Sequence, residues 1–312
     1  MQSRGPRPLP MRPLPGTEIR SGVVLLIVLV AIIIAATTLV SFARNSMEVG
    51  ADAVKAREEL QARWGRVSLR RALLPAADVA FQERDKLFRQ AKRELPPPII
   101  QAQVLLGGTV FEMGFADESA KVNINSVYHI DGLEKTRLLV RDLSGSLNGV
   151  RLQPEQPPDK TVDEVAIEDG EQPEQPLAFR AWGQVFDLNR IDSLTATTAR
   201  LTIFSRGAIN IRRADEEAAV LAASVVLPKA TARRLCREYK KNPDNAVDPL
   251  IDRYTSKAAA RARLKRLLSD SSVCYSLYVR CRTLNGVRTS FAAIGPDKDG
   301  VLRTREFEYR GR

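Results

Sequence analysis

Between Arg20 and Arg44 the chain has no ionisable side chain. Ser21 and Gly22 lead into VVLLIVLVAIIIAATTLVSFA, giving 23 uncharged residues in succession. As a helix rising about 1.5 Å per residue this stretch covers roughly 35 Å, enough to cross a hydrocarbon core of about 30 Å. Arg4, Arg7, Arg12 and Arg20 precede it, opposed only by Glu18, so the N-terminal side is expected to stay in the cytoplasm and everything after Ala43 to lie across the membrane. A cleaved signal peptide is the rival reading, and Ser41-Phe42-Ala43 satisfies its small-x-small rule. The apolar run is longer than the usual h-region of about 7–15 residues and no turn follows it, which favours a retained helix at residues 23–43.

Beyond the apolar run the helical pattern continues. Residues 44–74 contain no proline, and Met47, Ala51, Val54, Leu60, Trp64, Val67 and Leu74 recur at near-helical spacing among charges. The spacing predicts one helix from Val23 to Leu74, of about 52 residues and roughly 78 Å, broken at Pro75. A second helix is expected over Ala77–Glu94, before Pro96-Pro97-Pro98. Ile99–Met113 alternates and carries β-branched residues, as a strand or a hairpin turning at Gly107-Gly108 would. Leu138–Val140 is read as a short strand and Arg200–Ser205 as another, with helices over Glu216–Ser224, Lys229–Lys240 and Ser256–Leu268. Val273–Arg282, Val287–Ile294 and Val301–Tyr309 alternate between turn signals at Leu284-Asn285-Gly286 and Pro296–Gly300, which predicts a three-stranded antiparallel meander over 273–309.

The fold class expected is α+β. A long N-terminal helix packs on a small antiparallel sheet assembled from the Val104 region, the strand near Leu201 and the C-terminal meander. A mainly helical insertion lies roughly between Asn125 and Ser193, or includes Glu216–Ser272; the sequence leaves both open. Residues 153–176 hold five prolines, eight acidic residues and one lysine, and read as a loop because so polar a stretch cannot bury its own core.

Composition excludes several functions. The net charge of +11 is spread among alternating signs and does not define a nucleic-acid surface. Three cysteines, Cys236, Cys274 and Cys281, are too few for a disulfide framework and read as buried thiols, with one bridge from Cys236 as the alternative. His129 is the only histidine, there is no CxxC and no phosphate-cradling glycine loop, so no catalytic constellation is visible. Asp297, Asp299, Gly300 and Glu306 fall at positions 3, 5, 6 and 12 of a calcium-loop register, but Gly295 stands where the first ligand belongs and the flanks are strands; a hairpin turn is the better reading. Gly207-Ala208-Ile209-Asn210-Ile211 followed by helices resembles the opening of a helix-hairpin-helix module, with Arg212, Arg213, Arg233, Arg234, Arg237, Lys240 and Lys241 as phosphate-neutralising cations. The glycines that would let backbone approach phosphate are missing at Val225-Val226-Leu227-Pro228, and a structural turn is favoured.

The ordered set of Arg20-Ser21-Gly22-Val23-Val24-Leu25-Leu26, Ser41-Phe42-Ala43-Arg44, Ala116–Asn125 (ADESAKVNIN) and Gly207–Ile211 with its following helix resembles the type II secretion minor pseudopilin K family (general secretion pathway protein K). Two departures mark a divergent member: Ala120 stands where the family has glycine, and Arg212-Arg213 replace an Asn and a Thr of the later motif. The resemblance carries Asp117, Glu118, Asn123, Asn125, Gly207 and Asn210 over as motif residues. It implies a pilin-like domain over 75–312, a leader of residues 1–22 cut by a prepilin peptidase between Gly22 and Val23, and N-methylation of Val23. Residues 44–74 would continue the membrane helix into the periplasm. The implied protein is a non-enzymatic inner-membrane subunit at the tip of a secretion pseudopilus, beside other minor pseudopilins and the major pseudopilin. It requires no cofactor, calcium being the one candidate, and no nucleic-acid partner is expected. Ile27 occupies the fifth mature position, where most pilin-like subunits have glutamate and this subfamily does not. A competence-type DNA-binding protein and a minor pilin of a type IV pilus are the alternatives.

Overall fold

The computed structural model describes residues 17–91, 93, 95–145, 149–158, 177–187, 189–190, 194–205, 207–243, 245–296 and 302–311. The chain divides into residues 1–59 and a compact unit, Leu60–Arg312. In the first, helix α1 (Thr17–Leu73) begins, and it is long and apolar enough to cross a membrane. The apolar side chains of its first part are exposed, Leu25 to 69% and Phe42 to 71%.

In the compact unit the last turns of α1 change character. Ala62, Leu69 and the following Leu74 are buried, and Gly65 lies over the ring of Phe111 so closely that a Cβ there would fall 2.2 Å from the ring tip. Phe111 belongs to β2 (Thr109–Asp117), which with β1 (Ile99–Leu106) forms the hairpin expected around Gly107-Gly108. Helix α2 (Ala77–Gln90) adds Ala77 and Phe81 to the same core, and Phe81 stacks on Tyr275 at 5.7 Å. It stops at Gln90, short of the expected Glu94, with Ala91 as its C-terminal cap.

The excursion from β2 begins with a single 3₁₀ turn (Glu118–Ala120) and β3 (Val122–Asn123), then α3 (Ile124–Ser144), kinked at Gly132. Helical turns at Trp182–Val185 and Leu194–Thr197 precede β4 (Leu201–Thr202) and β5 (Ile209–Asn210). Four helices follow: α4 (Glu216–Ser224), α5 (Lys229–Lys241), α6 (Val247–Tyr254) and α7 (Ala258–Leu267). After β6 (Leu268–Ser269) come β7 (Tyr275–Thr283), β8 (Gly286–Pro296) and β9 (Leu302–Gly311). The main sheet is antiparallel in the order β1-β2-β7-β8-β9, so all of residues 118–274 departs from β2 and returns to its neighbour β7. Asp117 and Tyr275 are direct partners across that pair.

Alternation assigns the two faces of the sheet. Phe111, Met113, Phe115, Leu277, Val279 and Cys281 are buried towards the helices. Phe291 and Phe307 lie on the other face, where Phe204 of the excursion reaches them at 5.1 and 5.9 Å. A second, larger core fills the helical body, centred on Ile124, Phe179, Ile203, Ile211, Leu235 and Ile251. The architecture is α+β: a long N-terminal helix, an antiparallel sheet and a helical body.

Two expectations are corrected. Leu138–Val140 is not a strand but part of α3, where Thr136, Leu139, Val140 and Leu143 are buried at helical spacing. The strand near Leu201 does not join the main sheet. Only Leu201–Thr202 is extended, pairing in parallel with Val122–Asn123, and both its side chains are buried inside the helical body. Helix α6 stands where no element was expected, and its Pro249 sits in the first turn, where a proline's missing N–H costs nothing.

Candidate functional site: a buried polar junction

The ADESAKVNIN and GAINI segments meet where the sheet passes into the helical body. Each contains a short buried strand, and in each an asparagine organises the chain that follows. Asn123 caps α3, its Oδ1 accepting from the backbone N–H of Asn125 at 2.8 Å, while its Nδ2 donates to Ser205 Oγ at 3.0 Å. Asn125 clasps Phe179 through both backbone groups, accepting from its N–H at 2.7 Å and donating to its carbonyl at 3.1 Å. Asn210 Oδ1 accepts from the N–H of Arg212 at 3.0 Å, and its Nδ2 donates to Ser272 Oγ at 2.6 Å. Gly207 has φ +121°, and a Cβ there would stand 2.5 Å from Ser126 Oγ. Its missing side chain therefore serves close packing within the protein. The N–H of Ile211 is spent on Ser269, and those of Arg213 and Ala214 on Asn210, so these amides are not offered to phosphate.

The centre of the junction is Arg213, 7% exposed at its side chain. Its Nε donates to Asp85 Oδ2 at 2.6 Å and its Nη1 to Asp117 Oδ2 at 3.0 Å, with the guanidinium 5.3 Å from the Phe81 ring. Asp117 also accepts from Ser272 Oγ and from the Ser119 N–H. Arg84 holds the other oxygen of Asp85 at 3.1 Å. Beside it Glu118, 1% exposed, accepts from Lys121 at 2.7 Å and Ser276 at 2.6 Å. Ser119 Oγ accepts from the N–H groups of Val273 and Cys274, both at 3.1 Å, tying the first residues out of β2 to the last before β7.

Burial pushes the Asp117 carboxyl above its ordinary range, against the pull of Ser272 and Arg213. Burial alone would lower Arg213; hydrogen bonds and charge from Asp85 and Asp117 outweigh it and hold the guanidinium above its usual value. Arg213 is thus a permanent cation here. Among the described residues each of these charges has a partner.

Sequence reasoning placed Asp117 and Glu118 in a motif but missed Arg213 and Ser272 as partners of Asp117, Lys121 and Ser276 as those of Glu118, and Asp85 as the second carboxylate on Arg213. Arg213, a phosphate-neutralising cation only in the disfavoured helix-hairpin-helix reading, is buried and paired, and Arg212 donates to the Pro243 carbonyl at 3.1 Å. One signal was present, since Ala77, Phe81 and Asp85 share a helical stripe and a carboxylate on a buried stripe demands a cation. Gly22, Val23 and Ile27 lie on α1, exposed, away from this junction in sequence. Of the weak metal candidates, Glu306 sits on β9 and pairs with Arg70; Asp297 and Asp299 lie outside the described residues, as does most of 153–176. Among the described residues no three His, Cys, Asp or Glu side chains gather into a metal site. Cys236, Cys274 and Cys281 are free and buried.

The chain matches no protein-family model and no curated protein. Among solved structures it is similar to a chain of the crystal structure of the GspK-GspI-GspJ complex from the type 2 secretion system of enterotoxigenic Escherichia coli. The identity is 15%, covering 82% of this chain and 98% of that one, with a TM-score of 0.42.

Proposed function

We propose that this chain is a minor pseudopilin of the K type, a structural subunit held in the inner membrane by α1 that initiates or caps a secretion pseudopilus. The observation that carries the reading is α1 itself. A positively flanked, charge-free stretch starts at Gly22-Val23 and runs on without a break into turns that seat on an antiparallel sheet. In a helical stack each subunit's N-terminal ammonium needs a neighbouring carboxylate, since an unpaired charge in lipid costs several kcal/mol. Ile27 offers none, so the subunit suits a single position at an end better than the repeat. The protein has no catalytic task in this account, and its partners are other pseudopilins and the peptidase that removes residues 1–22.

Mass spectrometry of the mature N-terminus tests the reading. The expected species begins at an N-methylated Val23. A chain beginning after Ala43, or still at Met1, sinks it, as does unimpaired secretion in a strain lacking the gene. Calcium dependence is a separate matter; chelation lowering the melting temperature of the full chain in detergent would establish it.

A further inference from the structure

Helix α5 is amphipathic in an unusual sense. Ala232, Leu235, Cys236 and Tyr239 are buried, while Lys229, Arg233, Arg234, Arg237, Lys240 and Lys241 are all exposed. Arg237 pairs with Glu216 at 3.2 Å, and Glu238, the helix's one acid, is occupied by Arg253 at 2.8 Å and by the Tyr254 hydroxyl at 2.7 Å. The other five cations form no ion pair among the described residues.

The charge pattern works against the helix. Lys229–Arg233, Arg233–Arg237 and Arg237–Lys241 are like-charged pairs at i, i+4, each unfavourable by a few tenths of a kcal/mol. The N-terminal cap is Pro228, which supplies no side-chain hydrogen bond, and Lys229 opposes the helix dipole. Arg237 gains from Glu216, and Lys240 and Lys241 from the helix C-terminus; Lys229, Arg233 and Arg234 have no ion pair among the described residues to set against the repulsion.

We infer that the exposed face of α5 is an interaction surface for an acidic polypeptide, independent of the pseudopilin reading. Complementary charge is what would relieve the repulsion, and three features choose among anions. No large hydrophobic side chain is exposed on α5, so it lacks the apolar face with which interfacial helices enter lipid. The ring of Tyr239 is buried, leaving no aromatic platform on which a nucleobase could stack. Glu216 and Glu238, each held by an arginine, interrupt the stripe, so its unpaired cations fall into two separate groups that match carboxylates spaced along a polypeptide better than the continuous charge of a polyphosphate.

The test uses the full chain in zwitterionic nanodiscs, titrated at low salt with fluorescent oligoglutamate, a DNA duplex and phosphatidylglycerol vesicles. The expected result is binding of oligoglutamate, weakened about tenfold or more in an Arg233→Glu, Arg234→Glu, Lys240→Glu variant. An Arg57→Glu, Arg141→Glu, Arg282→Glu variant changes net charge equally at other exposed sites and should bind nearly as the parent does. Equal loss in both variants, tighter binding of DNA or vesicles, or no binding at all overturns the proposal. Carbodiimide cross-links from Lys240 or Lys241 to Glu168 or Asp169 of the same chain would show the stripe already satisfied, and would also overturn it. Circular dichroism of each variant confirms that it is folded.

Discussion

At the scale of single residues, Arg213 has the most to lose. Arg213→Met would leave Asp85 and Asp117 buried without their shared cation, a loss of about 3–5 kcal/mol. The deficit should depend on pH with a definite sign. Burial already raises the Asp117 carboxyl, and removing the guanidinium raises it further. A carboxyl with a higher pKa folded than unfolded contributes stability at low pH that is lost as pH rises through the folded value. The variant should therefore be closer to the parent at pH 4 than at pH 7. Urea unfolding at both values checks this, and an equal deficit at each would assign the loss to packing alone. The thiols give a second residue-scale prediction. Burial pushes Cys236 up to about 12 and raises Cys274 and Cys281 as well. At pH 8 none of the three should react with a thiol reagent until the protein unfolds, whereupon all three titrate. Because the unfolded thiol ionises near pH 8.5, the Cys236 contribution to stability should fall between roughly pH 9 and 12.

At the scale of elements, the contact between α1 and β2 rests on the absence of a side chain. Gly65→Ala would drive a methyl into the Phe111 ring, which is fully buried and hemmed in by its core, and should cost about 1–3 kcal/mol despite alanine's better helix propensity. A rise in melting temperature would show that the ring can swing clear. Asn123→Ala removes the cap of α3 and the bond to Ser205, and should cost about 0.5–2 kcal/mol from the cap alone, measured by thermal unfolding. The elements were legible where periodicity was undisturbed by context: α1, the β1–β2 hairpin, α4, α5 and the C-terminal meander all follow from local pattern. Leu138–Val140 misled because three apolar residues in a row show no period by themselves. The polar junction was illegible for a different reason. Its partners are 96 and 128 residues apart, and only the fold brings them together. Of the junction's charges, the sequence marked Asp117 and Glu118, and it offered Arg213 only as a cation of the disfavoured helix-hairpin-helix reading.

At the scale of the whole chain, the helical body and the sheet hold separate hydrophobic cores, joined through charged and hydrogen-bonded groups at the junction. Asp117 and Tyr275 are opposite one another in register, so the polypeptide leaves the sheet and rejoins it one strand spacing away, about 5 Å. A shortened chain with residues 118–274 replaced by Asn-Gly, and with Asp85→Leu and Asp117→Val to spare the stranded carboxylates, should keep the β1-β2-β7-β8-β9 sheet. Far-UV circular dichroism and a cooperative unfolding transition would show it, and a molten product would mean that the sheet depends on the body. Because departure and return adjoin, residues can be added to or taken from the excursion without parting β2 from β7.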